Sequence, residues 1–354
     1  AKTTTTTATA TAADPPTPIV RPKTGRDMCK SLLKISFAVG LVPAAVLLAA
    51  LLETPAVREL DLETLKATPF SPQAPSEPSR ADATGGDFGT AVPEGFGSGS
   101  MFDRIAKYYD ITNRFMALGL DQGWRRALVN DCLAFEAGDQ VLDLASGTAD
   151  VALLSAAALK TASGEAAAHS IRGVDPSVEM LREGVVKVEA SKMADIITLA
   201  KGDAQDLTSV QVLDSTGALG EPSAGIATDS INKISMSFGI RNVPNRLKAF
   251  REMKRVLKPS EKSRVCILEF SMPPKDSMLS TIANFFVAKA VPFIGRIISG
   301  SGSTEEYEYL FKSINKFPQP LEFAASMLEA GLQVQKITSF CYGAVNLYAA
   351  VPIQ

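Results

Sequence analysis

Histidine is nearly missing from this chain: one, His169, stands among 354 residues. A proton shuttle or metal centre built on imidazole has at most that one side chain to draw on. His169 itself sits in an Ala-rich stretch, Glu165 to Ser170, that reads as a loop before a strand. Cysteine is scarce too: Cys29, Cys132, Cys266 and Cys341 lie far apart with no C-x-x-C spacing, which speaks against a zinc site and against a disulfide framework. No charge of either sign dominates. Lys+Arg 36 against Asp+Glu 38 gives a formal net charge of −2, so the basic footprint that grips a phosphate backbone is missing and nucleic acid is not an expected partner. Apolar residues, by contrast, make up 46% of the chain, ample for a buried core in one large or two ordinary domains.

The composition changes along the chain. Residues 1–34 are rich in Thr and Ala, poor in acids and dotted with Lys2, Arg21, Lys23, Arg26 and Lys30, an organelle-targeting composition; the start at Ala1 suits a chain already trimmed. From Ile35 to Leu52 no charge occurs. As a helix that run is about 27 Å long, close to the thickness of a bilayer's hydrocarbon core. It reads either as a retained membrane anchor, oriented by basic residues before it and Glu53, Glu59, Asp61 and Glu63 after it, or as the apolar core of a removable address. Residues 53–100 read as a flexible linker, most clearly from about Pro69 onward, where Pro, Gly, Ser and Asp leave too little apolar surface to offset ordering entropy.

Residues 101–354 read as one ordered domain. Strands are expected at 140–145, 169–175, 196–203, 231–238 and 263–270, with helices at 150–160, 177–190 and 245–257 between them, the last stopped by Lys258-Pro259. Two more strands, near 334–341 and 345–353, are separated only by Tyr342-Gly343-Ala344 and should form a hairpin. Alternating strands and helices followed by a hairpin predict an α/β fold, a doubly wound, Rossmann-like sheet of seven mostly parallel strands carrying one antiparallel strand.

In such sheets a ligand lies beyond the carboxyl ends of the strands. Three of those ends carry acids: Asp143, opening Asp143-Leu144-Ala145-Ser146-Gly147-Thr148-Ala149-Asp150; Asp175, placed to accept from ribose hydroxyls; and Asp203-Ala204, placed to accept from an adenine amino group. One acid alone is no more than a common helix cap, but three on successive strands point to a nucleoside. The turn reads A-S-G-T-A-D and not G-x-G-x-x-G, which argues against a nicotinamide dehydrogenase and for an uncharged nucleoside without pyrophosphate.

With these residues in view, the stretch from about Met101 to the end resembles the ubiquinone/menaquinone-biosynthesis C-methyltransferases, a class I S-adenosylmethionine-dependent family. The segments that carry the resemblance are FDRIAKYYDITN (Phe102 to Asn113), DLASGTAD, SFGIRNV (Ser237 to Val243), RVLKP (Arg255 to Pro259), LEFS (Leu268 to Ser271) and EYEYLFKSIN (Glu306 to Asn315). The resemblance implies that Asp143, Gly147, Thr148, Asp175, Asp203, Ala204 and Ser237 serve S-adenosylmethionine. It implies that Tyr109, Asp110 and Asn113 belong to a helix covering the active site, and that Arg241 and Asn242 face the reacting ring. Arg241 is expected to stabilise the ring oxygen that becomes phenolate, and a water or Asp110 to accept its proton.

Three departures matter. Ser146 and Ala149 stand where the family usually has glycines, Gly119-Leu120-Asp121-Gln122-Gly123-Trp124 lacks the usual basic pair, and 208–230 replaces a short L-P-F as an expected surface insertion. The ending Gly343-Ala344-Val345-Asn346-Leu347-Tyr348-Ala349 is closer to the plastid and cyanobacterial branch than to the ubiquinone branch. The resulting expectation is C-methylation of a prenylated naphthoquinol of the phylloquinone type at a plastid membrane, with Ile282, Phe285, Phe286, Val291, Phe293 and Ile294 as candidates to line the prenyl tail. The alternatives are a mitochondrial inner-membrane benzoquinol methyltransferase and an idle methyltransferase-like subunit of a quinone-making assembly. A homo-oligomer or such an assembly is the expected quaternary context.

Overall fold

A computed structural model describes residues 55–69, 121–164, 167–273 and 313–353, together with part of the stretch 99–120. The apolar run 35–52, Tyr109, Asn113 and the tail-lining candidates from Ile282 to Ile294 lie outside the described residues. Among the described residues no helix is long and apolar enough to cross a membrane.

Seven strands follow the expected pattern closely. They are β2 (Val141–Leu144), β3 (Ile171–Asp175), β4 (Ile197–Asp203), β7 (Lys233–Ser237), β8 (Arg264–Phe270), β9 (Leu332–Phe340) and β10 (Val345–Pro352). The helices that cross between them begin at readable caps. α3 (Asp150–Ser163) follows the small-residue turn, and α4 (Val178–Ala190) is capped by Ser177, whose side chain accepts from the Met180 amide. Asn245 likewise accepts from the Lys248 amide at the start of α5 (Arg246–Val256), and Pro320 opens α6 (Pro320–Glu329) behind a Gln319–Glu322 capping box.

The sheet order is β1-β9-β10-β8-β7-β2-β3-β4-β5-β6, where β1 is Ala56–Glu59, β5 Asp206–Val212 and β6 Ser223–Ala224. β2 pairs in parallel with both β3 and β7, so the order reverses between β2 and β7, and β10 lies antiparallel between β8 and β9. Side chains alternate across the sheet: Leu142 and Leu144 enter the core under α5 and α6, whereas Val141 enters the one under α3 and α4. All three are fully buried, each stabilising the fold by about 1.5–3 kcal/mol.

Three strands exceed the seven expected. β1 (Ala56–Glu59) adds to the free edge of β9, running antiparallel from Ala56↔Ser339 to Glu59↔Lys336, and is followed by α1 (Leu62–Ala67), capped by Asp61. Part of the stretch read as linker is therefore ordered. The reason is Leu60 and Leu65, which are buried in the core beneath α5 and α6 although every β1 side chain is exposed. At the opposite edge the insertion forms β5 (Asp206–Val212) and β6 (Ser223–Ala224), which extend the sheet antiparallel beyond β4.

The expectation against disulfides needs correction: Cys132 and Cys266 are bonded, their Cα atoms 6.1 Å apart. α2 (Asp121–Ala127) continues into a π-helical turn, Leu128–Leu133, that packs in one apolar cluster with Cys266 and Leu268 of β8. This packing brings together two residues separated by 134 positions in sequence.

Candidate active site

At the point where the strand order reverses, the carboxyl ends of β2, β3, β4 and β7 surround a pocket open to solvent. Its walls include Ala145 and Gly147 after β2, Asp175 at the end of β3, Asp203 at the end of β4 with Ala204 after it, and Ser237 at the end of β7 with Asn242 beyond it. Sequence reasoning missed the apolar part of the wall, Phe102, Met180, Met236 and Phe238. Phe102 and Phe238 lie inside the segments FDRIAKYYDITN and SFGIRNV and Met236 is next to Ser237, whereas Met180, five residues past Asp175 in the following helix, carried no such signal.

The turn after β2 is tightly wound, with Ala145, Gly147 and Ala149 all at positive φ (51°, 54° and 66°). Gly173 on the neighbouring strand makes room for it: a Cβ there would lie 2.5 Å from Ser146 Oγ. The Gly147 amide donates to Asp175 Oδ2 at 2.9 Å, and the Ser177 amide donates to Asp175 Oδ1 at 2.8 Å. Burial raises the Asp175 carboxyl to about 6, against those two amides, which lower it.

Asp143 does not line the pocket. Its carboxylate is buried in the sheet and accepts from Ser235 Oγ at 2.7 Å and Ser146 Oγ at 2.8 Å, so it braces the turn from beneath. Burial raises it, too, to about 6, opposed first by the Ser235 hydrogen bond. Thr148 is likewise turned away from the wall: its hydroxyl donates to Asp110 Oδ1 at 2.8 Å and accepts from Lys187 Nζ at 2.8 Å. Asp110, expected as a proton acceptor, has its other oxygen 2.5 Å from Lys187 Nζ. Both of its oxygens are therefore engaged, one by the Thr148 hydroxyl and one by the Lys187 ammonium.

Arg241 and Asn242 separate. Asn242 is at the pocket wall, whereas the Arg241 side chain is buried against Glu269, to which its Nη1 donates, and donates through Nε to Ser313 Oγ at 3.0 Å. The Arg241 amide adds a bond to Glu269 Oε2 at 3.1 Å, and the Phe270 amide donates to Oε1 at 2.8 Å. Glu269 is fully buried and was missed. A lone acid inside the apolar run Val265-Cys266-Ile267-Leu268-Glu269-Phe270 was its signal. Around this pair Phe238 stacks on Phe270 with ring centroids 4.5 Å apart, and Trp124 meets both edge-on.

The pocket suits S-adenosylmethionine on its own chemistry. Among the described wall residues there is no lysine or arginine to hold a phosphate, while two carboxylates, Asp175 and Asp203, face a space fit for hydroxyl and amino groups. Ser237 Oγ and Asn242 Oδ1 are buried at the wall and have no hydrogen-bond partner among the described residues. Buried polar atoms of this kind call for bound groups that complete them, from the cofactor or from a substrate beside it.

Comparison with known proteins agrees with this geometry. The ubiquinone/menaquinone biosynthesis C-methyltransferase UbiE of Geotalea daltonii is 35% identical over 248 residues, 70% of this chain and 93% of that protein. The enzymes of the same name from Geobacter sulfurreducens and Paracoccus denitrificans are each 34% identical, covering 70% and 65% of this chain and 85% and 80% of their own lengths. Residues 96–352 match the ubiE/COQ5 methyltransferase family, and the chain belongs to it, as an S-adenosylmethionine-dependent C-methyltransferase.

Proposed function

We propose that this enzyme transfers a methyl group to a ring carbon of a prenylated quinol in quinone biosynthesis, and that the quinol is a demethylated naphthoquinol of the phylloquinone type. One observation carries the site assignment: the two unsatisfied buried atoms, Ser237 Oγ and Asn242 Oδ1, lie on the family-specific stretch Ser237 to Val243, at the pocket wall opposite the carboxylates. S-adenosylmethionine, when bound, supplies an electrophilic methyl group. Asp175 and Asp203 hold its nucleoside, with Gly147 fixing the carboxylate of Asp175 through its amide. Asn242 Oδ1 is an acceptor aimed at the quinol, where it orients a ring hydroxyl and draws on its proton as the ring carbon becomes nucleophilic; water carries the proton away. Arg241 acts through Glu269 by fixing the turn Ile240–Asn242, so that Asn242 is held against the pocket.

The naphthoquinol preference is supported by the likeness of the ending Gly343-Ala344-Val345-Asn346-Leu347-Tyr348-Ala349 to the plastid and cyanobacterial branch. Asn346 is buried, donates to Ser271 Oγ at 2.6 Å and accepts from Ser339 Oγ at 2.6 Å, locking the β9–β10 hairpin to the end of β8. The targeting composition of 1–34 and the apolar run 35–52 support a plastid membrane as the setting. The deciding experiment incubates the full chain with labelled S-adenosylmethionine and matched demethylated naphthoquinols and benzoquinols. Methylation of the naphthoquinol at the higher kcat/KM is expected, and preference for the benzoquinol overturns the head-group assignment. In the same assay Asn242→Ala should lower kcat while leaving cofactor affinity unchanged.

A further inference from the structure

We propose that Gln205 is a positioning residue that joins the two reactant sites: its one side-chain amide orients Asp203 for the cofactor's adenine and holds the wall stretch 242–244 that faces the quinol. The proposal rests on the cofactor pocket described above and on Asn242 as the quinol's acceptor.

Gln205 lies in the turn between β4 and β5, two residues past Asp203. Its backbone amide donates to Asp203 Oδ1 at 2.8 Å, and its side-chain Nε2 donates to Oδ1 at 3.1 Å and to Oδ2 at 3.0 Å. A carboxylate offers about four acceptor directions, so these contacts fix the plane of Asp203 and still leave capacity for the amino group of an adenine.

The other end of the same amide reaches the loop after β7, where Gln205 Oε1 accepts from the Asn245 backbone amide at 2.9 Å. Only this orientation of the side chain gives every contact a donor and an acceptor. In the sheet β2 and β3 stand between β4 and β7, so the hydrogen bond joins opposite flanks of the pocket. Asn245 caps α5, its side chain accepting from the Lys248 amide at 2.7 Å. The backbone N–H of a cap residue has no partner within its helix, and Gln205 supplies one. Val243 and Pro244, both at the pocket wall, separate Asn245 from Asn242, and the ring of Pro244 fixes its φ. A shift of the Asn245 amide therefore passes to Asn242 with little slack. The fold does not depend on this strap: Gln205 is only half-buried, and two residues on the Leu207 amide donates to Glu252 Oε2 at 2.9 Å, tying the start of β5 to α5 separately.

The two ends can be cut one at a time. Gln205→Lys keeps a donor for Asp203 but offers Asn245 no acceptor, whereas Gln205→Glu keeps the acceptor and sets a second carboxylate against Asp203. The assay uses the full chain, labelled S-adenosylmethionine and a demethylated naphthoquinol or, where the wild type prefers it, the matched benzoquinol. Gln205→Lys should lower kcat at saturating cofactor about fivefold with the cofactor Kd within about twofold of wild type. Gln205→Glu should do the reverse, raising the Kd about tenfold with kcat at saturating cofactor within about twofold. Hydrogen exchange gives a readout independent of turnover: the Asn245 amide should exchange several-fold faster in Gln205→Lys and at the wild-type rate in Gln205→Glu. An Asn245 amide that ignores Gln205→Lys, or two variants that shift the same constant, overturns the proposal. Failure of the readings beneath it shows elsewhere. A normal kcat in Asn242→Ala overturns the quinol's acceptor, and a normal cofactor Kd in Asp203→Ala overturns the adenine's; in either case exchange at Asn245 still decides whether Gln205 holds the loop.

Discussion

The two halves of the sheet that meet between β2 and β7 bury their acids in different ways. In the β2–β3–β4 half, Asp143 and Asp175 are held only by neutral donors, two serine hydroxyls in one case and two backbone amides in the other. In the β7–β8–β10 half, Glu269 is buried against the guanidinium of Arg241. The first arrangement leaves carboxyls that titrate near neutrality and can answer to a ligand. The second fixes a charge pair that cannot lose one member without exposing the other to a medium that does not solvate it. Arg241→Ala should therefore give the largest effect, a loss of about 3–5 kcal/mol in urea unfolding. Adding Glu269→Gln should recover most of it, because the damage comes from an orphaned carboxylate. A double variant as unstable as the single one would mean that packing over Phe270, 5.8 Å from the guanidinium, matters more than charge.

The same half carries the Cys132–Cys266 bond, which ties the π-helical turn to β8 across 134 residues. Reducing it, or replacing both cysteines by serine, should lower stability by about 2–4 kcal/mol. Cofactor affinity should change less than twofold, since none of the pocket-wall residues lies on the turn or on β8. A large loss of affinity would show that the two halves are mechanically coupled and not merely adjacent.

For the β2–β3–β4 half the probe is pH. Asp143 and Asp175 are each raised from an ordinary 3.8 to about 6, so the folded chain holds protons that the unfolded chain has released. Each group's contribution is fully present below about pH 4 and lost as pH rises through about 6, on the order of 2–3 kcal/mol. Asp143→Asn should flatten that part of the stability profile relative to wild type, measured by denaturant unfolding from pH 4 to 7. Cofactor affinity should run the other way, weakening below about pH 6 as Asp175 gains its proton and loses its strength as an acceptor. Because the charge on Asp143 helps to raise Asp175, Asp143→Asn should also move that edge to lower pH. An edge that does not move would mean that burial alone sets Asp175.

The sequence made the β2–β3–β4 half more legible than the other. Its strands are short apolar runs ending in acids, a local pattern, and Asp175, Asp203, Ala204 and Gly147 all line the pocket as that pattern implies. Direction was not legible: nothing in Asp143-Leu144-Ala145-Ser146-Gly147-Thr148 says that the Asp143 carboxylate turns into the sheet and the Thr148 hydroxyl outward to Asp110. Contacts between distant segments were hidden as well. The β1 strand, Ala56-Val57-Arg58-Glu59, is exposed along its whole length and has no apolar alternation, and it is ordered because β9 offers an edge and because Leu60 and Leu65, just after it, are buried in the core. Lys187, which looks like an ordinary surface lysine near the end of a helix, gains its meaning from two acids 37 and 77 positions earlier in the chain.

The smallest expected effect concerns backbone strain, which the halves also accommodate differently. Across β7 the strained residue is Phe238, at φ 56° but held by ring stacking on Phe270. In the turn after β2 it is carried by Ala145 and Ala149, small residues at positive φ where a Cβ costs roughly 1 kcal/mol. Glycine relieves that strain, but its gain depends on what the methyl was doing. The Ala149 methyl is fully buried in the cluster with Leu181 and Val185, so Ala149→Gly gives up about 0.8 kcal/mol of burial and should leave the melting temperature almost unchanged. The Ala145 methyl is only partly buried, and Ala145→Gly should stabilise by about 0.5 kcal/mol, a rise of one or two degrees by calorimetry. Equal responses at the two positions would mean that packing does not decide between them, and that the turn's winding is set by the hydrogen bonds to Asp143 and Asp175 beneath it.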